Sequence, residues 1–81
     1  MRVTVRLFAR LKELAGADTM TVEVPDSATV AEVWQAAIAM VPALVPHGRA
    51  ISCAVNATFA RMSQTISEGD DVAFLPPVSG G

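Results

Sequence analysis

The residues best suited to chemistry are the last six, Pro76, Pro77, Val78, Ser79, Gly80 and Gly81. Each proline fixes φ near −65° and withholds a backbone donor, so the segment stays extended and leaves whatever sheet precedes it. From Pro76 to the terminal carboxylate the reach is at most roughly 20 Å, at about 3.3 to 3.6 Å per residue, enough to cross a partner's active-site tunnel. Gly80 and Gly81 lack a Cβ. The end of the chain can therefore thread a narrow channel, and its terminal carbonyl carbon is unhindered. A carboxylate presented in this way suits use as a reagent. Gly-Gly alone is also how a frayed end looks. A strand running directly into Pro-Pro is what favours the chemical reading.

The other reactive side chains point to structure. Cys53 falls on the inward face of an alternating segment, which makes it a buried structural thiol. His47 sits in a Pro-His-Gly turn with neither cysteine nor carboxylate neighbours and reads as a surface residue. Asp70 and Asp71 belong to a polar turn, where adjacent carboxylates cap the turn or face water, and a metal would need more ligands than they offer. No Ser-His-Asp or Cys-His arrangement and no phosphate loop is present, so the chain has no complete catalytic site of its own.

Composition limits the remaining classes. The 81 residues suffice for one small domain with one core. Apolar residues make up 52% and charged residues 17%, so part of the apolar surface is expected to meet a partner. The net charge is −2, and Arg2, Arg6, Arg10, Lys12, Arg49 and Arg61 form no run, which gives nucleic-acid binding no support. A single cysteine excludes an internal disulfide or a multi-cysteine metal site and fits a reducing compartment. The chain passes from Met1-Arg2 straight into a strand pattern, without a signal-type apolar region or a stretch of about 20 apolar residues. The expectation is a soluble cytoplasmic protein with no membrane partner.

The elements that must position the tail follow from periodicity. Val3, Val5 and Leu7 alternate with Arg2, Thr4 and Arg6 in a half-buried strand, and Phe8 places an aromatic ring on the polar side. Residues 10–14 are good helix formers, and Gly16 suits the left-handed position that ends a short helical turn. Met20, Val22 and Val24 alternate in a second strand, antiparallel to the first. Thr29 and Glu32 match a capping box, so a helix begins at Val30 with an apolar stripe of Val30, Val33, Trp34, Ala37, Ile38 and Val41, limited by Pro42. Residues 42–48 form a short helical or turn connection. Ile51, Cys53 and Val55 make a third strand, Asn56-Ala57 a turn, and Phe59 a short, irregular strand segment. Ile66 plugs the core from a loop, and residues 68–71 turn into a last strand whose Val72 and Phe74 face one way and Ala73 and Leu75 the other. One helix on a mixed sheet, with first and last strands parallel neighbours, is an α+β, ubiquitin-like β-grasp arrangement. It divides the chain into a domain at 1–75 and an extended tail at 76–81.

Several stretches resemble a known family. They are residues 3–9 (VTVRLFA), 10–16 (RLKELAG), Val55-Asn56 and, above all, residues 68–81 (EGDDVAFLPPVSGG). Together they are similar to the small, sulfur-carrying subunits of molybdopterin synthase, the MoaD type, and the likeness spans essentially the whole chain. Met62, in a segment expected to be more polar, and Ser79, where related chains vary, depart from the pattern away from the reactive end. The resemblance implies that Gly81 is adenylated by an E1-like activating enzyme using ATP and magnesium, then converted to a thiocarboxylate with sulfur from a sulfurtransferase or cysteine desulfurase. It further implies docking beside the synthase large subunit, a heterotetramer, and donation of sulfur to cyclic pyranopterin monophosphate to build the molybdopterin dithiolene. The chain itself would bind no cofactor. The chemistry is sound: a carboxylate is a poor electrophile, an acyl-adenylate has a good leaving group, and a thiocarboxylate presents a soft nucleophilic sulfur.

Gly81 would supply the reacting carbon and Gly80 the clearance. Alternation puts Phe8 and Leu75 opposite the helix-covered face. With Phe59 and Val78 they are expected to form the docking patch for both partners, continued by Pro76, Pro77 and Ser79. Two alternatives stay open. One is a related carrier for thiamine or tRNA thiolation, or a protein-conjugating modifier; the other is a β-grasp interaction module without chemistry.

Overall fold

The computed structural model describes residues 1–77. Alternation of valine and leucine with polar residues gives β1 (Arg2–Leu7), which pairs antiparallel with β2 (Thr19–Glu23) and, on its other edge, parallel with β5 (Asp71–Leu75). β3 (Ser52–Val55) pairs antiparallel with β5 and with β4 (Thr58–Ala60). The sheet order is β2-β1-β5-β3-β4, with the first and last strands adjacent at its centre, as their apolar content requires. This is the mixed β-grasp sheet expected from the sequence.

Between β1 and β2 the chain makes a short helix, α1 (Arg10–Ala15), closed by Gly16 at φ 73°. A left-handed C-cap costs glycine nothing and releases the chain towards β2. The main helix, α2 (Val30–Met40), starts at the capping box read from the sequence: the Glu32 amide donates to Thr29 Oγ1 at 3.3 Å, and the Thr29 amide donates to Glu32 Oε1 at 3.1 Å. Val30, Val33, Trp34 and Ala37 are buried, whereas Ile38 and Val41 pack only partly against the core. Pro42 opens a 3-10 helix, Pro42–His47, whose Leu44 is fully buried and which packs on both α1 and α2. His47, at its end, is half-buried.

One core lies between α2 and one face of the sheet. Val3, Val5, Leu7, Val72, Phe74, Cys53 and Val55 point into it from the strands. The Trp34 and Phe74 rings meet with centroids 4.9 Å apart at 59°, a tilted pairing that adds to their burial. A Cβ on Gly48 would lie 2.8 Å from Trp34 Nε1, so only glycine allows the chain this close to the indole. Ile66 closes the remaining gap, held by its amide donating to Ala28 O at 2.9 Å. Among the described residues no helix is long and apolar enough to cross a membrane.

Candidate functional site: the open sheet face and the tail root

The sheet face turned away from α2 carries the other half of each alternation. Its register sets a row across four strands, because Arg6 pairs with Ala73, Ala73 with Ala54, and Ala54 with Phe59. With strands about 4.8 Å apart, the row runs roughly 14 Å from β1 to β4. Two alanines in its middle make a low floor between bulkier ends. Phe59 is 78% exposed and Phe8, just past the end of β1, is 43% exposed. One row further along, Ser52 pairs with Leu75, which is partly buried. Phe8 and Leu75, expected from alternation to lie opposite the helix, and Phe59, expected to join them, are therefore on one face. Pro76 is half-buried and Pro77 exposed, so the chain leaves β5 from the same end. Val78, Ser79, Gly80 and Gly81 lie outside the described residues.

A groove of about 230 Å³ crosses this face, lined by Arg6, Phe8, Asn56, Ala57, Asp71 and Ala73. Arg6 Nε donates to Asp71 Oδ2 at 2.6 Å along one wall. At another end Asn56 ties the β3–β4 hairpin to the start of β5. Its Nδ2 donates to Asp70 Oδ1 at 3.0 Å, its Oδ1 accepts from the Asp71 amide at 3.0 Å, and its own amide donates to Asp71 O at 2.8 Å. Asp70 also accepts from the Ser67 amide at 2.7 Å, which confirms its turn-capping role. The clamp fixes the hairpin bearing Phe59 against the strand that bears the tail.

The Asn56-Ala57 turn was expected from the sequence, but its left-handed backbone, and that of Ala9, were not. Asn56 and Ala57 have φ of 50° and 70°, the paired positive values of a two-residue hairpin turn in which glycine is usual at the second place. Ala9, immediately after Phe8, has φ 53° and ψ −125°, also a glycine-like conformation. A non-glycine residue held so costs on the order of 1–3 kcal/mol, repaid by surrounding contacts. After Ala9, Leu11 is driven into the core with no exposure, and its amide donates to Phe8 O at 3.1 Å. Sequence reasoning also missed Ala54: it is only 8% exposed although it lies on the helix-free face and outside the main core.

Cys53 is 4% exposed and its Sγ lies 3.1 Å from Ala60 O, to which it donates; burial pushes its pKa up, as befits a structural thiol. Among the described residues no three His, Cys, Asp or Glu side chains are grouped so as to hold a metal. Among the described residues the other exposed large apolar side chains, Met40 and Val45, belong to the end of α2 and the 3-10 helix rather than to this face.

A β-grasp domain with a patterned open face and a proline-led exit from its last strand thus defines the class. The family follows from comparison: the ThiS family model matches residues 5–81, and the chain belongs to that family. It is similar to the molybdopterin synthase sulfur carrier subunit of Chlamydomonas reinhardtii, 34% identical over 100% of both chains. The subunit of the same name in Escherichia coli is 36% identical over 98% of this chain and 99% of the other. A crystal structure of SAMP1, the small archaeal modifier protein 1 of Haloferax volcanii, superposes with a TM-score of 0.88 at 33% identity, covering 100% of both chains.

Proposed function

We propose that this chain is the sulfur carrier subunit of a molybdopterin synthase and that its reagent is the carboxyl group of Gly81. An E1-like enzyme would use ATP and magnesium to join the Gly81 carboxylate to AMP with release of pyrophosphate; a persulfide borne by a sulfurtransferase or cysteine desulfurase would displace AMP, and a thiol, itself oxidised to a disulfide, would cleave the resulting acyl disulfide to leave a thiocarboxylate. The carrier would then dock on the large subunit by its open face and pass the tail into that subunit's active site, where sulfur goes to cyclic pyranopterin monophosphate. The division of labour explains the chain's own chemistry: the domain is a handle, and the catalytic groups belong to its partners. Supporting this reading above all is the alignment of Phe8, Phe59 and Leu75 on the one face from whose edge Pro76 and Pro77 depart. An exposed aromatic beside an alanine floor is the kind of anchor that partner surfaces grip.

The decisive reconstitution mixes the thiocarboxylated chain with the large subunit and the pterin precursor. Dithiolene formation is expected from the full chain and none from a chain lacking Gly81. Equal rates from both would refute the assignment. The likeness to SAMP1 favours a second reading, a modifier joined through Gly81 to protein amines. That reading expects isopeptide-linked adducts and no pterin sulfuration.

A further inference from the structure

The charges of this small domain are sorted between the two ends of its sheet. At one end β1 and β5 finish and β3 begins, with Leu7 paired to Phe74 and Ser52 to Leu75, and from that end Pro76 and Pro77 leave. Arg10 and Lys12 stand there at the start of α1, Arg49 three residues ahead of Ser52, and Arg61 directly after β4, all exposed. Among the described residues the anions at that end are Glu13 and Asp18. At the other end stand Glu23, Asp26, Glu68, Asp70 and Asp71, with Arg2 beside Glu23 and Glu68 and the Met1 ammonium beside Asp26.

Ion pairing sharpens the contrast. Arg2 pairs with Glu23, Arg6 with Asp71 and Arg10 with Glu13. Among the described residues Lys12, Arg49 and Arg61 are in no ion pair, and all three are at the tail-bearing end. A chain whose net charge is −2 thus shows a positive rim where the tail emerges. Arg49 leads into β3, the strand beside β5, and Arg61 follows β4, the next strand out.

We infer that this basic rim steers the carrier tail-first onto a partner whose tail-receiving opening is edged with carboxylates. Steering of this kind presupposes the docking proposed above. Exposed rim charges act over about a Debye length, roughly 8 Å at physiological salt, and set the association rate more than the lifetime of the complex. The acidic far end adds torque, since it is repelled by the same opening and turns the tail forward.

The test is stopped-flow association with the synthase large subunit over a range of salt. The Arg49→Glu/Arg61→Glu double variant is expected to slow association about tenfold or more at low salt, flatten its salt dependence and leave dissociation nearly unchanged. Arg61→Glu and Arg2→Glu change the net charge equally but at opposite ends; only the former should slow association. Slowing of the same size by Arg2→Glu, a salt-independent wild-type rate, or unchanged or faster association of the double variant would overturn the inference while leaving the docking reading intact. Failure of the wild-type chain to bind the large subunit at any salt would overturn both.

Discussion

The two faces of the central sheet are built from the same strands by the same alternation, yet they do opposite work. On the face under α2, Val5, Leu7, Val72 and Phe74 are all but sealed from water, and Trp34 completes a close-packed layer. On the other face the row Arg6, Ala73, Ala54, Phe59 is left without a covering element, and the largest side chain in it is the most exposed large hydrophobic described. One face holds the fold together, and the other is kept available.

Exchanging the roles of the faces should break the molecule in different ways. The largest effect is expected from Phe74→Ala, which empties the layer beneath Trp34 and should cost about 3–5 kcal/mol in a denaturant melt. In a domain of this size that is much of the total stability. Phe59→Asp should leave stability within about 0.5 kcal/mol yet weaken binding to the large subunit at least about tenfold, or roughly 1.4 kcal/mol. Unchanged affinity would remove Phe59 from the docking surface. The reverse pattern, lost stability with intact binding, would mean that the open face is structural.

Smaller substitutions probe how the site is held. Ala57→Gly removes a left-handed penalty of about 1–2 kcal/mol and adds a chain-entropy cost of about 0.5–1 kcal/mol. A net gain near 0.5–1 kcal/mol is expected in a thermal melt, and a net loss would show that the alanine methyl makes contacts outweighing the strain. The smallest effect concerns Cys53. Burial raises its pKa above the ordinary 9.0, so the unfolded thiol ionises first. Its contribution to stability is complete below that pH and declines as pH rises from there through the folded value. Melts of Cys53→Ala should lack this part of the alkaline decline; an identical pH profile would contradict the assignment.

What could be read in advance follows the same division. Alternation in residues 2–7 and 71–75 and the Thr29–Glu32 cap are local patterns, and each is realised at the expected residues. Phe8 and Leu75 on the open face were legible for the same reason, since the face of a strand residue is fixed by parity; Phe59, in a three-residue strand, was not placed that way. The shape of the groove was not. It depends on alanines held in glycine-like conformations at positions 9 and 57, on an Asn56 clamp reaching 14 and 15 residues along the chain, and on the burial of Ala54 between neighbouring strands. Alanine has no preference that announces such positions. They are imposed by tertiary contacts, which outvote local propensity.

As the proposed sulfur-bearing end of the carrier, Gly81 is the residue on which the function turns. Intact-mass spectrometry of the chain co-expressed with the adenylating enzyme and a sulfur donor tests this most directly. One oxygen-to-sulfur exchange, located at Gly81 by fragmentation and absent when the adenylating enzyme is omitted, is the predicted result. An unmodified mass under conditions in which a known carrier is fully thiocarboxylated by the same enzymes would contradict it.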